Sequence, residues 1–100
     1  IGKLFPDTSA EFKGIDSKIL LRRVCDVVAE QGYSISNVDC TIAMQRPKLR
    51  PHIDTMRATL AEVMGIGVDR VSVKATTTER LGFEGREEGV STHAVVLLMK

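Results

Sequence analysis

The 100-residue sequence predicts an α/β (α+β) domain, with a mixed sheet, helices on one face and a right-handed strand-helix-strand crossover. Three observations predict it. Apolar residues recur at helical spacing in two stretches, they alternate in three others, and Gly or Pro marks the junctions. Hydrophobic residues make up 43% of the chain and charged residues 27%, enough apolar content for a core and too little net charge for disorder. Residues 1–100 read as a single domain, because a chain of this length has little surface to spare for two cores.

Residues 1–15 hold Gly2, Pro6, Asp7, Thr8, Ser9 and Gly14 among few periodic apolar positions, which predicts a surface loop. Asp16 or Ser17 then caps a helix whose apolar positions are Leu20, Leu21, Val24, Cys25, Val27 and Val28, with Gly32 as its stop. Residues 33–44 alternate, but the apolar phase moves from Tyr33 and Ile35 to Val38, Cys40, Ile42 and Met44. A bulge or a strand start near Asn37 is expected. Pro47 and Pro51 make residues 45–51 a stiff loop, since neither can continue a central strand.

A second helix carries Ile53, Met56, Leu60, Val63 and Met64, with Pro51 in its first turn and Gly65 at its end. Val71, Val73 and Ala75 alternate with Ser72, Lys74 and Thr76, which predicts a strand. A crossover between parallel strands puts both their C-terminal ends at one sheet edge, so the loops at 45–51 and 76–79 are expected to lie together. Residues 89–99 alternate weakly and turn apolar on both faces from Ala94, as a central or oligomer-facing strand does.

Fourteen basic and thirteen acidic residues leave a net charge of +1, which gives little attraction for polyanions or anionic membranes. Phe5, Phe12, Tyr33 and Phe83 fall on different elements and form no base-stacking platform, so nucleic acid is not an expected partner. The apolar run at 94–99 is far shorter than the roughly 20 residues of a membrane-spanning helix, and no signal peptide is visible. Cys25 and Cys40 sit in apolar patterns without metal-ligand spacing and are expected to be buried, reduced thiols. The chain opens at Ile1, without an initiating Met and directly in a dense motif, so further residues upstream are expected.

Thr76 and Glu79 have the spacing of a helix capping box. The same stretch also presents Thr76, Thr77 and Thr78 at a strand end, where hydroxyl and backbone donors suit a phosphate, with Glu79 placed to hold Mg²⁺ or Mn²⁺. Both readings stay open at this level. Arg46, Lys48 and Arg50 either recognise phosphate or are solvated charge. His52 and His93 lack ligand spacing and read as structural. Gly82, Gly85 and Gly89 punctuate turns and match neither the P-loop nor the dinucleotide fingerprint. No GxSxG, Cys–His or paired-carboxylate pattern supplies an enzyme nucleophile. The residues alone reach a phosphate-binding α/β domain.

The stretch Ile1-Gly2-Lys3-Leu4-Phe5-Pro6-Asp7-Thr8, then Pro47-Lys48, then Lys74-Ala75-Thr76-Thr77-Thr78-Glu79, then Leu81-Gly82-Phe83 and Gly85-Arg86 closely resembles the 2-C-methyl-D-erythritol 2,4-cyclodiphosphate synthase family in order and spacing. The resemblance covers essentially the whole chain, as the C-terminal two-thirds of such a subunit. It implies a phosphorus-oxygen lyase of isoprenoid precursor synthesis, homotrimeric around a threefold axis, with sites between subunits and an apolar axial channel. The 2-phosphate of 4-diphosphocytidyl-2-C-methyl-D-erythritol 2-phosphate attacks the β-phosphorus, expels CMP and leaves the cyclic diphosphate. A cytoplasmic bacterial setting is implied, with a plastid as the alternative.

By the same resemblance, Gly2, Phe5, Pro6, Asp7, Thr8 and Ser9 contact the methylerythritol phosphate, with Asp7 as polar anchor. Met44, Gln45, Arg46, Pro47, Lys48, Leu49 and Arg50 surround cytosine and ribose, and Lys48 is the main charged contact. Ala75, Thr76, Thr77 and Thr78 hold the diphosphate, Thr77 stabilises the transition state, and Glu79 binds Mg²⁺ or Mn²⁺. Phe83 and Arg86 complete the substrate pocket. The family's catalytic zinc is bound by an Asp-x-His and a later His expected upstream of Ile1, so no zinc ligand is assigned in this sequence. Arg46 and Arg50 depart from the family pattern. The competing reading is a non-catalytic nucleotide-binding or regulatory α/β module.

Overall fold

The computed structural model describes residues 2–6 and 8–100. After a 3₁₀ turn at Ala10–Phe12, Asp16 caps helix α1 (Ser17–Glu30). Its carboxylate accepts the Lys18 amide hydrogen at 2.9 Å, satisfying one of the donors a helix start leaves open. That bond, with the Lys18 ammonium beside it, holds the Asp16 carboxyl below its usual range. The apolar stripe of α1 places Cys25 in the core and Leu21 at its margin.

Strand β1 (Ser34–Ala43) follows, and its register breaks between Ile35 and Asn37, where the apolar phase of the sequence shifts. Helix α2 (Ile53–Met64) begins through a 3₁₀ turn, Arg50–His52, that carries Pro51 in its first turn. It ends at Gly65, whose φ of 70° is the left-handed conformation that only glycine adopts without strain. Strand β2 (Val71–Thr76) then returns parallel to β1, so strand, helix and strand form the expected crossover. A short helix α3 (Gly82–Gly85) precedes β3 (Ser91–Met99), which pairs antiparallel with β1. The sheet is mixed, in the order β2-β1-β3.

Period-two alternation on β2 turns Val71 and Val73 inward and Ser72 and Lys74 outward. The inward pair packs with Ile42, Ile53, Ala61, Met64 and Cys25 beneath α1 and α2. Arg57 ties α2 to β2, its guanidinium donating to the carbonyls of Val71 at 2.7 Å and Val68 at 2.9 Å. On the opposite sheet face Lys74 pairs with Asp39, and its hydrogen bond holds that carboxyl below its usual range. The molecule is a sheet with helices on it, 20 Å across its shortest axis.

The described residues refine four expectations. Of the two placements expected for the last strand, central or oligomer-facing, they give β3 an edge position, with Val95 72% and Leu97 55% exposed. The capping box does not form, because no helix begins at Thr76 and α3 starts only at Gly82. Gly82 and Gly85, expected to punctuate turns, bound that short helix. Of the thiols only Cys25 is buried; Cys40 is half-buried on β1. Burial raises both thiol pKa values above the ordinary range, which leaves them poor nucleophiles.

Candidate functional site

The parallel pairing of β1 and β2 ends with Ala43 opposite Thr76, and the Met44 amide donates to the Thr76 carbonyl at 3.0 Å. The two chains then diverge, one into residues 44–50 and the other into residues 77–81. Between them lies a cavity of about 210 Å³. Met44, Gln45, Pro47, Lys48, Leu49 and Arg50 line one wall; Ala75, Thr76 and Thr77 line the other, and Ile53 of α2 closes the floor. Open α/β sheets bind ligands at the carboxyl ends of their parallel strands, because loops there converge without sheet pairing to occupy their polar groups.

The three threonines are not equivalent. The Thr76 hydroxyl donates to the Thr77 carbonyl at 3.1 Å, and the Thr78 hydroxyl donates to the Leu81 carbonyl at 2.6 Å. Thr77 instead accepts the Glu79 amide hydrogen at 3.3 Å. Its hydroxyl proton is therefore uncommitted among the described residues, and Thr77 lines the cavity. Residue pattern alone could not separate the three hydroxyls, since the distinction depends on which carbonyl each one meets; only the family resemblance singled out Thr77.

Glu79 and Arg80 hold left-handed backbone, with φ of 53° and 66°. Among the described residues the Glu79 carboxylate has no hydrogen-bond or ion-pair partner. A single free carboxylate two residues beyond Thr77 has the donor chemistry of Mg²⁺ or Mn²⁺, which are bound by few protein carboxylates. The donor set for zinc is different, and among the described residues no three His, Cys, Asp or Glu side chains converge. His52 and His93 remain apart from any such cluster.

Other candidate residues fall around the cavity rather than in it. The Arg46 side chain turns outward and pairs with Glu87, donating from Nη2 at 2.8 Å, although its backbone belongs to the cavity loop. That pair holds the Glu87 carboxyl below its usual range. Gln45 Oε1 accepts the Arg80 amide hydrogen at 3.1 Å. Phe83 is 47% exposed on α3, where its ring lies against Gly89, and Arg86 pairs with Glu88. Gly85 has no room for a side chain: a Cβ there would sit 2.2 Å from the Arg80 backbone.

The described residues among 2–9 form a separate group. Phe5 is 8% exposed and meets Phe12 edge to face at 5.4 Å, under Leu20, Leu21 and Val24 of α1. Gly2 takes φ of 63°, Pro6 accepts the Ser9 amide hydrogen at 3.1 Å, and Thr8 is exposed. Asp7, the expected polar anchor, lies outside the described residues. None of the described residues in this group lines the cavity between β1 and β2.

A crossover unit that opens a cleft at the carboxyl ends of its parallel strands, with the uncommitted Thr77 hydroxyl lining it and the free Glu79 carboxylate two residues on, defines an α+β domain with a candidate ligand site. The chain belongs to the YgbB family, whose sequence model matches residues 1–99. It is 63% identical over 99 residues to the 2-C-methyl-D-erythritol 2,4-cyclodiphosphate synthase of Pseudomonas aeruginosa, covering 99% of this chain and 63% of that protein. The synthase of Actinobacillus succinogenes is 62% identical over 100 residues, covering 100% of this chain and 63% of the relative.

Among solved structures, the bifunctional IspDF of Campylobacter jejuni superposes with a TM-score of 0.93 at 41% identity, covering 98% of this chain and 27% of that one. The CDP complex of IspF from Plasmodium falciparum superposes at 0.84 with 30% identity, covering 99% of this chain and 58% of the other. The chain spans about 63% of the length of the relatives it matches.

Proposed function

We propose that this chain carries the cytidine and diphosphate half of a 2-C-methyl-D-erythritol 2,4-cyclodiphosphate synthase, and that the complete protein releases CMP as it closes the cyclic diphosphate. The observation that carries the reading is the shared cavity of residues 44–50 and 75–77. A CDP-bound relative of the same fold supports it. The substrate brings its own nucleophile, the 2-phosphate, so the protein's task is in-line positioning and charge stabilisation. No enzyme nucleophile is required.

In this reading the 44–50 loop encloses the cytosine and ribose, Lys48 faces the phosphates, and the uncommitted Thr77 hydroxyl donates to charge that develops at the β-phosphate. Glu79 holds Mg²⁺ or Mn²⁺, which when bound neutralises diphosphate charge. The Gly2–Ser9 stretch serves the methylerythritol phosphate of a neighbouring subunit's site in a homotrimer, with Asp7 as its polar anchor, which accounts for the separation of its described residues from the cavity of their own chain. Relatives from bacteria support a bacterial setting, and the half-buried and buried free thiols suit a reducing cytoplasm.

The complete protein, given 4-diphosphocytidyl-2-C-methyl-D-erythritol 2-phosphate and divalent metal, should release CMP stoichiometrically with cyclic diphosphate. Binding without CMP release would favour the non-catalytic nucleotide-binding module. A second expectation concerns the base. A loop carbonyl that accepts from the exocyclic amine of cytosine meets an acceptor oxygen in uracil, and an unpaired buried polar group costs about 1–3 kcal/mol. CDP should therefore bind about 10- to 100-fold more tightly than UDP by calorimetry. Equal affinities would remove base reading from this loop.

A further inference from the structure

Outside the cavity, its 44–50 wall is tied to the segment that follows the other wall, by contacts between residues 35 and 41 positions apart in sequence. Arg46 donates through Nε and Nη2 to the two oxygens of Glu87, at 2.5 and 2.8 Å, a fork-to-fork arrangement. One residue earlier, the Gln45 side chain accepts the Arg80 amide hydrogen, so adjacent residues of the base-side loop anchor to both ends of the 80–87 segment. That segment carries Phe83 and Arg86 and directly follows Glu79. It is also held in costly backbone, with Arg80 and Glu87 at φ of 66° and 64° although neither is glycine. Such conformations persist where the surroundings over-determine them.

We propose that Arg46 and Glu87 are positioning residues, a clamp that holds the base-side loop against the phosphate-side segment and so pre-orders the cavity for a cytidine nucleotide. The proposal rests on the cytidine reading above. The Arg46 side chain does not enter the cavity; it acts on the ligand through Gln45, Pro47 and Lys48, whose backbone it fixes. Pre-ordering a loop lowers the entropic cost of binding. As a lone exposed pair, 76% and 38% accessible, the bridge should contribute little to global stability. Its effect should appear in ligand affinity and in the local order of residues 44–50.

The test is a double-mutant cycle on CDP binding in the full-length protein, using Arg46→Ala, Glu87→Gln and their combination. Each single change should weaken CDP binding about two- to fivefold, and the combination should be no worse than either alone. The differences should shrink in high salt, which screens exposed charges. Glu87→Gly relieves the left-handed backbone, so it should fold at least as well as the parent yet bind CDP as weakly as Glu87→Gln. Unchanged affinities, or strictly additive losses, would overturn the clamp. If the parent protein itself fails to bind CDP, the cytidine reading falls. The clamp is then decided by amide exchange: faster exchange at residues 44–50 in Glu87→Gly supports it, and unchanged exchange refutes it.

Discussion

Glu79→Gln in the full-length protein should lower turnover about a hundredfold or more while the unfolding midpoint hardly moves. Substitution by Gln keeps the shape and one hydrogen-bonding oxygen and removes only the charge. Two roles competed for this residue, and the structure separates them. A capping carboxylate would sit at the third position of a helix, but Glu79 lies in left-handed backbone at φ 53°, three residues before α3 begins. Its one structural hydrogen bond runs from its amide to Thr77 Oγ1, which the substitution leaves intact. The carboxylate is thus unused by the described fold. In the proposed reading, a charge without a protein partner next to Thr77 and Thr78 is placed to hold a divalent cation shared with substrate oxygens. Turnover should be measured across a Mg²⁺ or Mn²⁺ titration, because weakened metal binding appears first at limiting metal. Near-parental turnover there would refute the metal role.

The regular elements were legible because their signals are local. Gly65 and Gly32 mark helix ends, Asp16 marks a start, and the shift in apolar phase near Asn37 marks a register break in β1. The meeting of the 44–50 and 76–79 loops followed from the parallel crossover alone. At Thr76 the capping and phosphate readings both stayed open because hydroxyl-to-carboxylate spacing is short and recurs by chance; only the backbone shows that the chain turns instead of coiling. The Arg46–Glu87 bridge was illegible for the opposite reason. It joins residues 41 apart, and nothing in either local sequence marks the other. The hydroxyl proton of Thr77 was out of reach as well, since it depends on which carbonyls its neighbours find. The strand nature of residues 91–99 was legible, but its position at the sheet edge depends on a pairing order that periodicity does not encode.

That edge position leads to the last expected result, that Val95→Asp or Leu97→Asp should convert a trimeric full-length protein into monomers and abolish CMP release, although neither residue touches the cavity. The chain exposes 7321 Å², whereas a compact monomer of 11.0 kDa exposes about 5,600 Å² by size scaling. On β3 the apolar side chains Val95, Val96, Leu97, Leu98 and Met99 are 38–72% exposed. Val95 and Leu97, opposite Asp39 and Asn37, point to the sheet face away from the helices, and Val96 and Leu98 to the other, where they are 50% and 38% exposed. An edge strand bare on both faces invites association, and natural proteins cover such strands or charge them. This one carries no charge between His93 and Lys100, so cover by other chain is the physical expectation. Burying a Val or Leu fully contributes about 1.5–3 kcal/mol per side chain, counted once for each subunit. An unpartnered carboxylate in the same place reverses that sign and adds a desolvation penalty. Light scattering should give three subunits for the parent and one for the variant. A monomeric parent would remove the shared-site arrangement. A variant still trimeric and active would assign β3 to contacts within its own subunit.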